Sequence, residues 1–344
     1  MTISLDLKNV ERETSKAWKN IDRPKPKAVC EIMGVGSGKG KSILFGEHFV
    51  VYGIPSIAAG ISSETVAKVT RTEQPGWTLD DRRPAVSGYK EKKLEEQKGS
   101  IENILSFCGV DISKRGIHIE LEGDLVCASG IGASAASCVA LARSLNEEFS
   151  LGFDDSKINE AAYQGELGYH GTPSGIDNTA STYGGLIWYV RDLEGGSPTF
   201  EMLKLSDEAH LVIASTGITA STKDVVGDVR KKKEEDPSWF DSIADKYTRL
   251  VYRARDAFFQ FDLREVGLLM NENHQMLREL TVSCEELDNL VEIARRSGAL
   301  GAKMTGTGRG GNQLSLAADL RTAEKIAEAL AEEASGVWIT TFGR

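Results

Sequence analysis

The sequence predicts an α+β protein of two lobes, on three observations. Its 344 residues are more than one small hydrophobic core usually serves, which favours two domains. Strand-like runs with interspersed helices fill the first half, whereas helical periodicity dominates the second. Composition shifts at 195-GGSPTF-200. The expected division is an arm over 1–27, a first domain over 28–198 and a second over 199–344, with helices on sheets.

The elements follow in order. Leu7, Val10, Thr14, Trp18 and Ile21 fall at helical spacing up to Pro24 and Pro26. Strands are expected near 28–34, 42–52, 55–60 and 64–71, where β-branched and aromatic residues collect. Residues 73–98 read as a polar loop, 99–109 as a helix, and 116–122 as an alternating strand. Helices over 133–148 and about 156–168 precede strands at 184–190 and 211–216. Helices then run over 221–233, 238–261, 263–280 and 284–297. Ser283 and Glu286 have the spacing of a capping box at the start of the last. Strands at 302–305 and 312–317, a helix at 320–334 and a strand at 337–342 finish the chain.

Bulk properties exclude several classes. The composition, 40% hydrophobic and 27% charged, is that of a globular protein. A formal net charge of −10 argues against nucleic acid as a partner. It leaves room for an anionic substrate, which needs only local donors. The five cysteines (30, 108, 127, 138, 284) show no C-x-x-C spacing, so no zinc site or disulfide framework is expected, and a reducing compartment fits. No apolar run reaches the ~18 residues of a membrane span. Asp6, Glu11 and Glu13 suit neither a signal nor a transit peptide. A cytoplasmic protein with no membrane partner is expected, with organellar import by another kind of signal left open.

Four segments carry candidate chemistry. The stretch 40-GKSILFGEHFVVYGIPSIAAGIS-62 compresses Lys41, Glu47 and His48 between apolar runs, where ionisable groups are costly unless used. A salt-bridged hairpin turn would explain it equally well. Just upstream, 36-GSGKGKS-42 imitates a phosphate-binding P-loop. Val35 stands where its first glycine belongs, and Ser42 opens a strand-like run rather than a helix. The segment 129-SGIGASAASCVALARSLNEEF-149 puts small residues at a helix start. An anion can approach free amides there, although tight helix-on-sheet packing needs the same residues. In 298-GALGAKMTGTGRGGNQLSLA-317, four glycines fall between positions 306 and 311; a ligand-free glycine hairpin is the plain alternative. Finally, 164-QGELGYHGTPSGIDNTASTYGG-185 spaces Glu166, late in a helix, from Asp177, in a following turn. One could hold a metal ion while the other meets a substrate hydroxyl. His170 reads as a structural histidine rather than a catalytic one, as do His118, His210 and His274.

Together these segments resemble the GHMP kinases, over about residues 38–340. Within that family, 46-GEHFVVYG-53, 170-HGTPSGIDN-178 and 183-YGG-185 are in the style of mevalonate kinases. The resemblance implies a GHMP kinase fold: a mixed-sheet α/β N-terminal domain and a ferredoxin-like, helix-rich C-terminal domain. It implies ATP and Mg²⁺ as cofactors, with Lys41 and Asp177 as the catalytic pair. Substrate binding falls to Glu47, His48 and Asp177, and metal binding to Ser134 and Glu166. The ATP loop would comprise Gly130, Ile131, Gly132, Ala133, Ser134, Ala135 and Ala136, with Gly306 and Gly308 from the third segment. The implied reaction is phosphorylation of the C5 hydroxyl of mevalonate, in isoprenoid and sterol biosynthesis, by a homodimer. Another small alcohol (phosphomevalonate, a sugar or homoserine) or a non-catalytic metabolite-sensing member are the alternatives.

Two departures stand out. Ala133 replaces the first serine of the family's Gly-Leu-Gly-Ser-Ser-Ala-Ala, and Arg309 interrupts its Gly-Ala-Gly-Gly-Gly-Gly. Arg309, a variant that resembles protozoan-type members, could pair with a phosphate or swing outward.

Overall fold

The computed structural model describes residues 33–127 and 130–343, which belong to one compact unit. The arm over 1–27, and the strand expected over 28–34, lie outside the described residues apart from Met33 and Gly34.

Strand β1 (Gly34–Phe45) runs antiparallel to the long β2 (Ser56–Thr72), joined by a tight turn and a 3₁₀ turn at Val50–Tyr52. β3 (Trp77–Asp81), the one-turn helix α1 (Tyr89–Lys92), the longer α2 (Leu94–Cys108) and β4 (Gly116–Gly123) follow. Next come α3 (Ala133–Phe149), α4 (Asp155–His170), α5 (Ile176–Tyr183), β5 (Leu186–Val190) and β6 (Thr199–Leu203). These strands form one mixed sheet in the order β3-β4-β2-β5-β6, with β1 also on β2.

The second sheet starts at β7 (Ala209–Ser215). It is followed by α6 (Thr222–Glu235), α7 (Pro237–Phe259), α8 (Leu263–Glu279), α9 (Glu285–Arg296), β8 (Gly301–Thr305), β9 (Asn312–Ala317), α10 (Leu320–Leu330) and β10 (Gly336–Phe342). The order β10-β7-β9-β8 is antiparallel throughout. Fourth-first-third-second, with helices in the first and last connections, is the ferredoxin-like arrangement that the family resemblance implied.

One packing feature positions everything that follows. Gly34, Gly36 and Gly38 alternate along the face of β1 turned to α3. A β-carbon on each would sit 2.2, 2.5 and 2.2 Å from the carbonyl oxygens of Ser144, Ala140 and Ala136. Two strand residues advance about 6.6 Å and four helical residues about 6 Å, so the two backbones mesh along their length. The start of α3 is thereby laid beside Lys41. Of the glycines that imitate a P-loop upstream of Lys41, Gly36 and Gly38 belong to this packing stripe, whereas Gly40 packs against Leu125 and Ile61.

Several expectations need correction. The strand expected over 42–52 stops at Phe45, because Gly46 (φ 128°) and His48 (φ 63°) turn the chain. The strands expected at 55–60 and 64–71 are a single strand, paired with β5 at one end and β4 at the other. The loop over 73–98 contains β3, which pairs in parallel with β4. Asp177 lies in the first turn of a helix rather than in a loop. The Ser283 capping box does not form. Cys284 occupies the N-cap with no side-chain cap, while the Ser283 hydroxyl donates to Asp288 at 2.6 Å. The chain passes between the sheets after Leu203, since 199–203 still pairs with β5.

Candidate active site

Lys41 is the reference point. The β1–β2 register shifts between Lys39 and Lys41, and the Lys41 amide leaves the ladder to donate to Ile131 O at 2.9 Å. Gly132, the left-handed N-cap of α3, lies against the Lys41 stem; a β-carbon there would be 2.6 Å from Cγ. So guided, Lys41 Nζ reaches Asp177 Oδ1 at 2.9 Å, with side chains 4% and 28% exposed. The ammonium is buried and the carboxylate faces an opening.

Ser134, in the first turn of α3, faces Glu166 of α4 closely enough to favour its ionised form. Glu166 is buried. Burial, and then the charge of Asp177, push its carboxyl up to about 8 against the pull of Ser134 and Lys41. His170, one turn later, has Nε2 3.7 Å from Glu166 Oε2, and burial lowers its pKa. Among the described residues no three His, Cys, Asp or Glu side chains gather as a metal cluster. The donors present are oxygens, one carboxylate and one hydroxyl. That set fits a hard cation that completes its shell with water and phosphate.

Glu47 and His48 occupy the turn after β1 and point inward. Glu47 forms a fully buried ion pair with Lys303 of β8, and its Oε2 has no protein partner. His48 Nε2 is 2.7 Å from Thr307 O. A carbonyl only accepts, so Nε2 carries the proton. Burial lowers the His48 pKa to about 4, so the ring is neutral at pH 7 and Nδ1 is a bare acceptor. That Nδ1 is buried without a protein partner.

The two glycine segments meet. A β-carbon at Gly306 would be 3.2 Å from Gly130 Cα. Thr307 bonds the hydroxyl of Thr222, at the start of α6, at 2.7 Å. Gly308 approaches Val282 O so closely that a β-carbon would sit 2.0 Å away.

A family model described as GHMP kinases N terminal domain matches residues 96–185, and one described as GHMP kinases C terminal matches 254–336. A mevalonate kinase of Thermococcus sibiricus is 34% identical over 85% of this chain and 93% of its own. One of Pyrococcus horikoshii is 34% identical over 85% and 92%. The chain belongs to the GHMP kinases, in their mevalonate kinase branch. Among solved structures, L. major mevalonate kinase in complex with R-mevalonate superposes with a TM-score of 0.87 at 45% identity, covering 90% of this chain and 95% of that one. Mevalonate kinase from Staphylococcus aureus MRSA252 gives 0.70 at 26% identity, over 91% and 99%.

Within this GHMP kinase, Arg309 takes a left-handed conformation (φ 51°) where the family pattern has glycine. Its amide donates to Val282 O at 2.8 Å, and its guanidinium pairs with Asp228 of α6 and bonds Thr281 O. The side chain swings outward and staples the loop to α6. Sequence reasoning missed Lys303, Thr305 and Thr222. A lysine inside β8, all five of whose residues are buried, was the available signal for the first. It also missed Arg83, whose guanidinium pairs with Asp81 at 2.6 Å and donates to Ala133 O at 3.2 Å. Arg83 thus braces the α3 start where the family's first serine is absent.

Proposed function

We propose that this chain transfers the γ-phosphoryl group of ATP to the C5 hydroxyl of mevalonate. The observation that carries the reading is the 2.9 Å contact between Lys41 Nζ and Asp177 Oδ1 at the edge of a helix start built from small residues. The curated relatives named mevalonate kinase support the substrate, as does the L. major structure named with R-mevalonate.

In this reading the substrate oxygen attacks the γ-phosphorus, the bond to the ADP oxygen breaks, and the hydroxyl proton passes to Asp177. Lys41 holds the Asp177 carboxylate at 2.9 Å and faces the charge that develops on the transferring group. The amides of residues 130–136, with Gly306 and Gly308 alongside, receive the triphosphate, aided by the α3 dipole. Ser134 and Glu166 would hold Mg²⁺, which would supply positive charge to the phosphate chain. His48 offers Nδ1, and Glu47 offers Oε2, as acceptors for the hydroxyl groups of the substrate. Asp177 contacts the reacting hydroxyl.

The test is a coupled ATP-to-ADP assay with mevalonate, phosphomevalonate, galactose and homoserine, each with and without Mg²⁺. Turnover on mevalonate that requires the metal is expected. A higher kcat/KM on another alcohol would reassign the substrate, and nucleotide binding without any turnover would make the chain a sensing module.

A further inference from the structure

Three bonds tie the turn after β1 to the strand and loop of the second glycine segment. Lys303 pairs with Glu47. Thr305 Oγ1 donates to Ile43 O at 3.0 Å. Thr307 O accepts from His48 Nε2 at 2.7 Å. Lys303 and Thr305 are alternate residues of β8, so their side chains project to the same side, and Thr307, in the turn that follows, adds its backbone carbonyl. The end of β8 and its turn therefore grip residues 43–48.

The lysine is the unexpected member. Its side chain is 0% exposed, as is that of its partner Glu47. Burying an ammonium is costly compared with packing an aliphatic residue of similar volume. Burial pulls the ammonium pKa down, and the Glu47 carboxylate opposes it. The ammonium also donates to Met304 O at 2.7 Å, which points the stem along the strand. Engaging Glu47 Oε1 leaves Oε2 as the remaining acceptor of that carboxylate.

The turn it holds is strained. His48 is a non-glycine residue at φ 63°, a conformation L-residues avoid unless surroundings impose it. Two anchors flank that strain: the Glu47 carboxylate on Lys303, and the His48 ring on Thr307 O. Both come from the 303–307 edge.

We infer that Lys303 is a positioning residue: through its ion pair with Glu47 it locks the strained 46–48 turn against the second glycine loop, fixing which nitrogen of His48 faces the acceptor alcohol. The kinetic consequence rests on the kinase reading above; the tautomer consequence does not. Lys303 touches no reacting atom in this account. It sets the register between the turn that meets the alcohol and the loop that lies beside the nucleotide segment at Gly130.

The test uses the full chain with ¹⁵N-labelled histidine, the His48 signals being assigned by loss in His48→Gln. At pH 7 the unmodified protein is expected to show His48 as a single neutral tautomer with the proton on Nε2. In Lys303→Met, His48 should show averaging of the two tautomers. The kcat/KM for mevalonate should fall about 10²-fold, as misplacement of a site group does, while the KM for ATP stays within about twofold. Lys303→Met/Glu47→Gln removes both charges at nearly constant shape and is expected to fold; it should show the same loosened tautomer. An unchanged His48 signal in the folded double variant, or failure of that variant to fold, would overturn the inference, since the pair would then serve the core alone. Absence of mevalonate turnover in the unmodified protein would sink the kinase reading and leave the tautomer arm standing.

Discussion

His48 and Glu166 put opposite pH signatures into one site. The His48 pKa falls to about 4 on folding, so the folded chain binds fewer protons than the unfolded one below the ordinary histidine value. Its contribution is present above about pH 6.5 and is lost as pH falls toward 4. Glu166 is raised to about 8, so its contribution is full below its ordinary value and is lost as pH rises through about 8. In metal-free protein, thermal melts from pH 4 to 9 should therefore fall away on both sides. Glu166→Gln should flatten the alkaline limb and His48→Gln the acid limb. Mg²⁺ with nucleotide should raise the melting temperature more at pH 8 than at pH 6, by favouring the ionised carboxylate. An alkaline limb that survives in Glu166→Gln would show that another group titrates there. The positions of Lys41, Asp177, Ser134 and Glu166 were legible because each sits inside a motif of glycines and small residues. Lys303 was not, because a lysine within a strand hints at a charge pair without naming its partner, and that partner is 256 residues away.

At the level of elements, the mesh of β1 on α3 sets the geometry of the site. Gly36 faces Ala140 O, with room for no β-carbon. Gly36→Ala should destabilise by about 1–3 kcal/mol, the range of an overpacked core position, and should weaken ATP binding by shifting the α3 start away from Lys41. A variant with unchanged melting temperature and unchanged KM for ATP would show that the contact is slack. The sequence displayed these glycines plainly, but their alternation has two readings, phosphate cradle or packing stripe. Only the element they face decides between them. The turn at 46–48 was hidden for a related reason. Apolar residues on both sides of it look like one strand, and the break comes from backbone angles at Gly46 and His48 rather than from composition. The expected Ser283 cap failed because Asp288 competes for the same hydroxyl.

Across the whole molecule, the two sheets share one core. Phe49 stacks on Tyr247 of α7 with centroids 3.9 Å apart, Phe45 meets Phe258 edge-on at 6.3 Å, and the Tyr247 hydroxyl donates to Pro55 O at 2.9 Å. The same apolar cluster runs from β1 and β2 into α6, α7 and α8. The shift in composition near residue 195 suggested a boundary between two domains. It carried no sign that they are fused through an aromatic seam, since those partners lie about 200 positions apart. The described residues should accordingly unfold in a single calorimetric transition. Phe49→Ala should lower it by about 3–5 kcal/mol; two separated transitions in the unmodified protein would contradict the shared core. The seam also brings the 303–307 edge to the turn that carries Glu47 and His48, next to the strand that carries Lys41. The central claim is that this convergence makes Asp177 the acceptor of the alcohol proton. It is tested most directly by rapid-quench single turnover of ATP and mevalonate with Asp177→Asn at saturating Mg²⁺. The account predicts a phosphoryl-transfer rate reduced about 10²–10⁴-fold with nucleotide affinity nearly unchanged, whereas a rate within about twofold of the unmodified enzyme would contradict it.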